Sequence, residues 1–343
     1  MCAIIYGARQ IKVCIIGNFS DNFDDGLKNI AHYLARDITR ISSIELLKLN
    51  IKNIISLKNL REIKRFHPDI IHYIPGPTNK SIFFLKFVKI YLMYDVKIVL
   101  SAPHPMFKDI VTKLIRFKPD YVFCSSRNLK ERIQLLNWPS HLLANGVDKK
   151  KFIPLSNYEK KKLRKKYSIP ENDFIILHVG HIKSERNLKI FSKLSKEGQV
   201  VIVASESIKV DPKLLLYLQY TNSKIFRGYY PNIEEFYQLA DCYLFPVKPG
   251  NSILFPLSIV EAMACNLPVI TTEFDGIITF CKEGEGLIFV KKEEDFLNAI
   301  KKIKTKDTTV NTRNKIECYS WENITKEMVE CYSKLLKCSE KNI

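Results

Sequence analysis

The stretch from Phe245 to Gly276 limits the fold more than any other part of the 343-residue chain. It reads as the end of an apolar strand, a loop rich in Pro, Gly, Asn and Ser, a short apolar helix, a turn and a second apolar strand. The helix is predicted over Ser258–Cys265, just before the turn at Asn266. This order is typical of a parallel sheet, in which ligands bind beyond the carboxyl ends of the strands.

Strand–loop–helix units recur along the whole chain. Apolar runs typical of buried strands lie at 11–17, 69–73, 97–102, 119–126, 174–180, 200–204, 225–229, 269–272 and 287–290. Helical spacing of apolar residues follows several of them, for example over Leu27–Ile38. We therefore predict an α/β chain with two Rossmann-like domains, because its length is sufficient for two. No uncharged apolar run approaches the roughly 18 residues that a membrane span needs, and Met1–Gln10 lacks the pattern of a secretory signal.

The start of the Ser258 helix is a candidate site for an anion. Free N–H groups at a helix start suit a phosphate. Glu261, which we place in the first turn, could accept hydrogen bonds from the two hydroxyls of a ribose. Ser258 and Glu261 also fit Ser-x-x-Glu, a capping box in which Glu261 only ties back to the helix start. The spacing alone leaves both interpretations open.

The net charge limits the kinds of molecule that this chain is expected to bind, and the cysteines indicate its compartment. The net charge is +18, and residues 1–150 carry 24 Lys+Arg against 12 Asp+Glu, hence +12. The basic residues do not interleave with aromatic residues and match no nucleic-acid-binding module, so we expect no nucleic acid. Attraction to an anionic membrane and simple solubility charge both stay open. The nine cysteines form no Cys-x-x-Cys pair, which favours free thiols and a cytoplasmic protein, with peripheral docking at the inner face of the membrane as one expectation.

The segment Ser81–Tyr94 is apolar nearly all round and is broken only by Lys86 and Lys89. One interpretation is a helix buried between a sheet and its neighbours. The other is a helix that is partly exposed to a membrane surface.

Several groups of residues together resemble family 4 of the retaining glycosyltransferases with the GT-B fold. The matching residues are Glu261-Ala262-Met263-Ala264, Pro268 and Asp275-Gly276, then Asn145-Gly146-Val147-Asp148 with Phe152 and Pro154, and Ser320-Trp321-Glu322. The resemblance implies two Rossmann-like domains that face a cleft, with a C-terminal helix crossing back to the first domain. It implies an acceptor-side domain over 1–148 with the helix of about 325–343, and a nucleotide-sugar-binding domain over 149–324.

The resemblance also implies roles for individual residues. Glu261 would hold the donor ribose. Arg186 would be the second member of a basic pair on the diphosphate, with His181 at the first position and Lys183 able to replace it. Further donor contacts would come from Gly180, Leu257 and Ser258, and from Gly228 and Tyr229 near the base. His104 follows the strand at 97–102 and would contact the donor sugar. His104 and Arg186 are the catalytic candidates. Asp25 and Gly26 would form the acceptor-side loop.

Each of these roles has a structural alternative. Arg186 could be a surface arginine at a helix start, and His104 an ordinary loop histidine. Asp25 and Gly26 also fit a plain helix N-terminus with acidic residues.

The function implied is retaining transfer of a sugar from a nucleotide-sugar to a glycan or lipid-linked acceptor. The nucleotide-sugar is a substrate of unspecified base, no cofactor is expected, and the lack of an Asp-x-Asp motif favours a metal-independent reaction. Ile253 stands where the family has its first glutamate, and isoleucine cannot accept a hydrogen bond. A catalytically silent nucleotide-binding subunit is therefore the alternative, and a nucleotide-sugar epimerase on the same fold is a third.

Overall fold

The computed structural model describes residues 9–20, 25–102, 106–206, 209–248 and 254–340, which pack into two compact units. Unit 1 contains β1 with residues 26–144, and takes in the chain again from Trp321 onwards. Unit 2 contains residues 145–320. The packing therefore divides the chain four residues before each of the two boundaries suggested by the sequence, 148/149 and 324/325.

Unit 1 is built on a parallel sheet. Within the described residues its strands are β1 (Ile11–Gly17), β2 (Ile44–Asn50), β3 (Ile70–Tyr73), β4 (Lys97–Ser101), β5 (Tyr121–Cys124) and β6 (Ser140–Leu142). Their spatial order is β2-β1-β3-β4-β5-β6. The direction of the chain along the sheet reverses between β1 and β3, which creates a switch point beside β1.

The helices of unit 1 cover both faces of this sheet. They are α1 (Gly26–Ile38), α2 (Leu57–Phe66), α3 (Asn79–Leu92), α4 (Asp109–Leu114), α5 (Arg127–Leu135) and, after unit 2, α14 (Trp321–Glu340). Because strand–helix–strand crossings are right-handed, α2 to α5 lie on one face and α1 on the other. Gly17 lets α1 approach β1 closely, since a Cβ there would stand 2.8 Å from the Cβ of Ala31.

The terminal helix α14 returns to unit 1, as the sequence predicts. It packs against α1, and the ring of Trp321 stacks on that of Tyr33 at 5.3 Å between centroids. Deeper in the unit, the Tyr332 hydroxyl lies 2.5 Å from Nδ1 of His72 on β3, and Nε2 of His72 lies 2.9 Å from Ser101 Oγ. Burial lowers the pKa of His72 to about 3, so the ring is neutral in this buried hydrogen-bond network.

Unit 2 has a second parallel sheet. Its strands are β7 (Ile175–Val179), β8 (Gln199–Ala204), β9 (Lys224–Arg227), β10 (Cys242–Phe245), β11 (Val269–Thr272) and β12 (Leu287–Val290), in the order β12-β11-β10-β7-β8-β9. Its helices are α6 (Asn157–Lys166), α7 (Phe191–Leu194), α8 (Pro212–Gln219), α9 (Glu234–Leu239), α10 (Leu257–Ala264), α11 (Asp275–Phe280), α12 (Glu293–Lys304) and α13 (Thr312–Lys315). The two parallel sheets confirm the predicted α/β class.

A buried arginine joins α6 to the unit 2 sheet. Arg164 donates from Nε to the Leu239 carbonyl at 2.9 Å and from Nη2 to Asp241 Oδ2 at 2.8 Å. The same Asp241 oxygen accepts from the backbone N–H of Ile175 at the start of β7. Paired and hydrogen-bonded in this way, the guanidinium can be buried without a large penalty. Among the described residues, no helix has the length and apolarity that crossing a bilayer requires.

Candidate functional site

The candidate site lies in unit 2, where β7 and β10 are neighbours. The chain runs from β7 outwards to β8 and β9, and then returns to the other side of β7 as β10. Ligands of open parallel sheets bind beyond the carboxyl ends of the strands at such a reversal. The segment after β7 carries Gly180 to Arg186, and the segment after β10 leads to α10.

Arg186 ends the short 3-10 turn Ser184–Arg186 and has an unsatisfied guanidinium. Its Cζ lies 4.8 Å from the centroid of the Phe245 ring, at the end of β10. Nη1 is buried and has no hydrogen-bond partner within the described part of the chain. Burial lowers the pKa of Arg186, while Tyr243 and Glu185 act in the opposite direction. A buried donor without an acceptor is costly, and an anionic ligand at Nη1 would remove that cost.

The start of α10 faces the same cluster. Pro256 precedes the helix and provides no side-chain cap, so the first N–H groups, at Leu257 and Ser258, have no side-chain acceptor from the capping residue. Burial raises the pKa of the Tyr243 hydroxyl while the side chain of Ser258 acts to lower it, and that hydroxyl donates to the Val179 carbonyl at 3.1 Å. The helix start therefore lies beside the end of β7. Uncapped N–H groups at the positive end of a helix suit a phosphate.

Glu261 lies in the second turn of α10, and the first-turn position predicted from the sequence is wrong. The capping box between Ser258 and Glu261 is also absent, because the helix begins at Leu257 with Pro256 as its cap. The Glu261 carboxylate instead accepts a hydrogen bond at Oε2 from the hydroxyl of Tyr237 on α9, at 2.7 Å. Oε1 has no donor among the described residues and can accept from a ligand.

The surroundings of Glu261 favour its protonated form. Burial raises its pKa to about 7, against the opposing effects of the Tyr237 hydrogen bond and of Lys151. Burial likewise raises the pKa of the Tyr237 hydroxyl, which therefore stays protonated and donates. A ligand that brings two hydroxyl donors would stabilise the carboxylate and move this pKa back down.

A buried histidine supports the loop after β7. His178 lies in β7, and its Nδ1 is 2.9 Å from the Leu244 carbonyl of β10. Burial lowers its pKa to about 3, so the ring is neutral. Its Nε2 is buried without a partner in the described residues and faces Gly180, where a Cβ would stand 3.0 Å from it. Gly180 therefore lets the chain turn closely over the histidine towards Arg186.

The other predicted contacts are more dispersed. His181 is half-buried beside Gly180, and its carbonyl accepts from the N–H of Lys183 at 3.0 Å, while the side chain of Lys183 is exposed. Gly228 and Tyr229 follow β9, the edge strand of the sheet, and Gly228 has a φ of +142°, which glycine adopts without strain.

Gly26 is the first residue of α1, the helix of unit 1 that follows β1 in the chain, and Asp25 directly precedes it. His104 and Ile253 lie outside the described residues. The structure therefore brings Arg186, Ser258 and Glu261 together and leaves the predicted roles of the remaining residues as predictions.

Three aromatic residues of the site were not found from the sequence. Tyr237, Tyr243 and Phe245 look like ordinary core residues in a helix and a strand, and all three are buried. Their function depends on contacts across the sheet edge, namely with Glu261, Ser258 and Arg186. A buried tyrosine needs a hydrogen-bond partner, and that requirement is the one signal in the sequence that could have pointed to them.

The segment that contains these residues is similar to known proteins. Residues 159–320, which contain the whole cluster, match the family described as glycosyl transferases group 1. A Streptococcus pneumoniae protein named alpha-galactosylglucosyldiacylglycerol synthase is 26% identical over 60% of this chain and 53% of its own length. An uncharacterised glycosyltransferase of Methanocaldococcus jannaschii is 25% identical over 62% of this chain and 59% of its own. The chain thus spans about half the length of the curated relatives it matches.

Solved structures share the fold over nearly the whole chain. A glycosyltransferase from Rickettsia africae superposes with a TM-score of 0.77 over 96% of this chain and 100% of its own, at 15% identity. HepE of Anabaena, crystallised with UDP and glucose, gives a TM-score of 0.73 over 94% and 100% at 13% identity. At these identities the likeness shows the fold, two Rossmann-like units of the GT-B type, and confirms the predicted architecture.

Proposed function

We propose that this chain, which carries a glycosyl transferases group 1 domain on a GT-B fold, transfers a sugar from a nucleotide-sugar to a glycan or lipid-linked acceptor. We further assign it to retaining family 4 and to a metal-independent reaction on the cytoplasmic side of the membrane. The observation that carries the proposal is the half-buried Arg186 side chain, whose Nη1 is buried and has no acceptor within the described residues.

The donor diphosphate would lie between Arg186 and the start of α10. The guanidinium can give a forked pair of hydrogen bonds to phosphate oxygens, and the N–H groups of Leu257 and Ser258 can donate from the helix start. Both groups are fixed before the ligand arrives, Arg186 against Phe245 and Ser258 against Tyr243. Groups held in place in this way stabilise the negative charge that develops on a leaving diphosphate.

The ribose would bind at Glu261. The free Oε1 can accept from the ribose hydroxyls, while Tyr237 keeps the carboxylate oriented through Oε2. The base would lie towards the edge strand β9, near Gly228 and Tyr229. In the retaining mechanism the acceptor attacks the face from which the diphosphate leaves, and a donor phosphate oxygen takes the acceptor proton.

Two further observations support the proposal, one for the cellular compartment and one for the choice of donor. The cysteines of the described residues, from Cys14 to Cys331, are free thiols, as a reducing compartment would keep them. HepE was crystallised with UDP-glucose, which makes uridine nucleotides the first donors to test.

A panel of nucleotide-sugars, incubated with the protein without acceptor, tests the proposal. We expect one donor to raise the melting temperature and to release free nucleotide slowly, and Arg186→Ala to abolish both effects. Arg65→Ala, at an exposed position of α2, is the matched control and should retain them. A protein that neither binds nor hydrolyses any donor, and that also transfers to no glycan or lipid acceptor, would overturn the assignment.

Ile253 favours one alternative function, a catalytically silent nucleotide-binding subunit. Such a subunit would be stabilised by nucleoside diphosphates and would show no donor hydrolysis and no transfer to any acceptor. Restoring the carboxylate with Ile253→Glu would then be expected to create donor hydrolysis.

A further inference from the structure

The helix α3 of unit 1 has an apolar face that unit 1 leaves exposed. Phe83, Phe87 and Ile90 are 54%, 52% and 64% exposed, and their spacing of four and three residues places them on one side of the helix. The opposite side is buried on the sheet through Ile82, Leu85 and Val88. Neither interpretation of this segment from its sequence is complete, because the helix is buried on one side and exposed on the other.

The helix α4 continues the same surface. Ile110 and Leu114, one turn apart, are 63% and 75% exposed. Two hydrogen bonds connect the two helices. The Lys108 N–H donates to Asn79 Oδ1 at 2.9 Å near their first turns, and Lys86 Nζ donates to the Arg116 carbonyl at 3.5 Å further along. They therefore run side by side on one face of the unit 1 sheet. We call the exposed side of α3 and α4 the α3–α4 face.

The α3–α4 face is strongly basic as well as apolar. Residues 79–118 contain eight Lys or Arg and two Asp, a net charge of +6. The two aspartates are each in an ion pair, Asp109 with Arg132 and Asp95 with Lys97. Exposed cations without an ion pair in the described residues remain around the apolar side chains: Lys80, Lys108, Lys113, Arg116 and Lys118. One-third of the whole molecule's net charge of +18 thus lies in these forty residues.

We propose that the α3–α4 face docks on an anionic lipid bilayer. Lysine is depleted at the centre of protein–protein interfaces, where it would have to lose its hydration. At a membrane surface, in contrast, apolar side chains enter the headgroup region while the surrounding lysines stay hydrated beside anionic headgroups. The mixture of exposed phenylalanine, isoleucine and leucine with unpaired lysines and arginine therefore fits a bilayer better than a protein partner.

The location of this face also suits an enzyme that works on a membrane. Both helices start just after strands β3 and β4, so the face reaches the carboxyl edge of the unit 1 sheet. A bilayer that touches it would bring lipid headgroups close to that edge. The inference itself does not depend on the sugar chemistry, because it concerns the surface alone.

Flotation of the full-length protein with vesicles tests the proposal. We expect binding to vesicles of phosphatidylcholine with phosphatidylglycerol at low salt, weaker binding at high salt, and little binding to phosphatidylcholine alone, because exposed charges are screened. Lys108→Glu with Lys113→Glu should weaken binding more than about tenfold, since each basic residue near an anionic surface contributes. Phe83→Ser with Phe87→Ser and Ile90→Ser should weaken it and leave the salt dependence in place.

Matched variants on unit 2 serve as controls. Lys213→Glu with Lys301→Glu makes the same change in net charge, and Leu216→Ser with Tyr220→Ser and Ile278→Ser removes exposed apolar groups of similar kind. Both should bind vesicles like the parent chain. Equal losses from the α3–α4 and control variants would overturn the proposal, as would the absence of vesicle binding at low salt. A dimer in solution that the three α3 substitutions dissociate, with vesicle binding unaffected, would assign the face to a second copy of the chain instead.

Discussion

At the scale of single residues, Glu261 shows how burial changes the chemistry of a carboxylate. Its position looks like a helix cap in the sequence, yet the side chain turns towards Tyr237 and the strand ends. Burial raises its pKa to about 7, so the folded protein without ligand holds a proton there that the unfolded chain releases at lower pH. The site is therefore sensitive to pH in the physiological range.

The contribution of Glu261 to stability should fall as pH rises from about 5 to about 7, whereas the buried histidines His72 and His178 act in the opposite direction. Below the ordinary pKa of 4.5 both states are protonated, and between that value and about 7 only the unfolded chain ionises, so the free energy of unfolding decreases with pH. We expect the parent chain to lose on the order of 1–3 kcal/mol of stability relative to Glu261→Gln over this range, because the histidines contribute equally to both proteins. Urea unfolding at several pH values measures it, with Glu171→Gln at an exposed position as control. A difference between the parent chain and Glu261→Gln that does not change with pH would contradict this.

Arg186 should discriminate between a nucleoside diphosphate and its nucleoside. Arg186→Ala removes the only charged member of the described cluster that is set to meet phosphate, so we expect UDP affinity to fall about tenfold to a hundredfold, the usual effect of losing a charged hydrogen bond. Uridine affinity should change little. Calorimetric titration of both ligands checks this, and Arg186→Lys should restore part of the UDP affinity because it keeps the charge without the fork. Equal losses for UDP and uridine would remove Arg186 from the phosphate site.

At the scale of elements, the start of α10 differs from the sequence prediction, whereas the course of α14 agrees with it. For α10 the apolar pattern and the turn at Asn266 correctly predict a helix, whereas its first residue and its cap differ from the prediction. The error has a physical cause, because the helix begins one residue earlier, at Leu257, so Ser258 lies inside its first turn and Pro256 takes the cap position. For α14 the prediction that the helix returns to unit 1 is confirmed.

The terminal helix should depend on its buried hydroxyl. Tyr332→Phe leaves a nitrogen of the neutral, buried His72 without its partner, and we expect a loss of about 1–3 kcal/mol in the free energy of unfolding of unit 1. Denaturant unfolding that is followed by a probe in unit 1 measures it. Tyr220→Phe, at an exposed hydroxyl of unit 2, should be neutral. A neutral Tyr332→Phe would show that a water molecule can replace the hydroxyl.

The strands were predictable where they are long and apolar, and were missed where they are not. The edge strand β2 contains Glu45 and Lys48 among its leucines, and β6 has three residues, so neither stands out from its surroundings. Both are strands because β1 and β5 offer them a hydrogen-bonding partner. At the site, Arg186 and Glu261 were found through the resemblance of the segments around them to family 4, because spacing alone left the role of Glu261 open. Their partners Phe245 and Tyr237 were not, because those contacts form only when the sheet edge is assembled.

At the scale of the whole molecule, the described residues of the proposed donor site lie in one continuous segment. Arg186, Tyr237, Tyr243, Ser258 and Glu261 all belong to unit 2, residues 145–320. Unit 1 is instead assembled from separate parts of the chain, because α14 completes it. The capacity to bind a nucleotide and the integrity of unit 1 should therefore be separable.

A fragment of residues 145–320 should fold alone and bind UDP. We expect a cooperative thermal transition that UDP raises, and loss of that increase in the fragment with Arg186→Ala. A fragment of residues 1–144 should not fold cooperatively, because the surfaces that contact Trp321 and Tyr332 remain open. Differential scanning calorimetry of both fragments checks this. An unfolded 145–320 fragment would show that unit 2 needs the rest of the chain.

The return of α14 to unit 1 has a consequence for biosynthesis. When residues 1–144 leave the ribosome, their core lacks the helix that begins at Trp321, and it must wait while nearly two hundred further residues are translated. At about 5–20 residues per second this delay is roughly 10–40 seconds. During that time unit 2 can complete its sheet, whereas the surface of unit 1 around Tyr33 and His72 stays uncovered. Unit 1 is thus begun before unit 2 and finished after it, and its uncovered apolar surface is open to aggregation until α14 arrives.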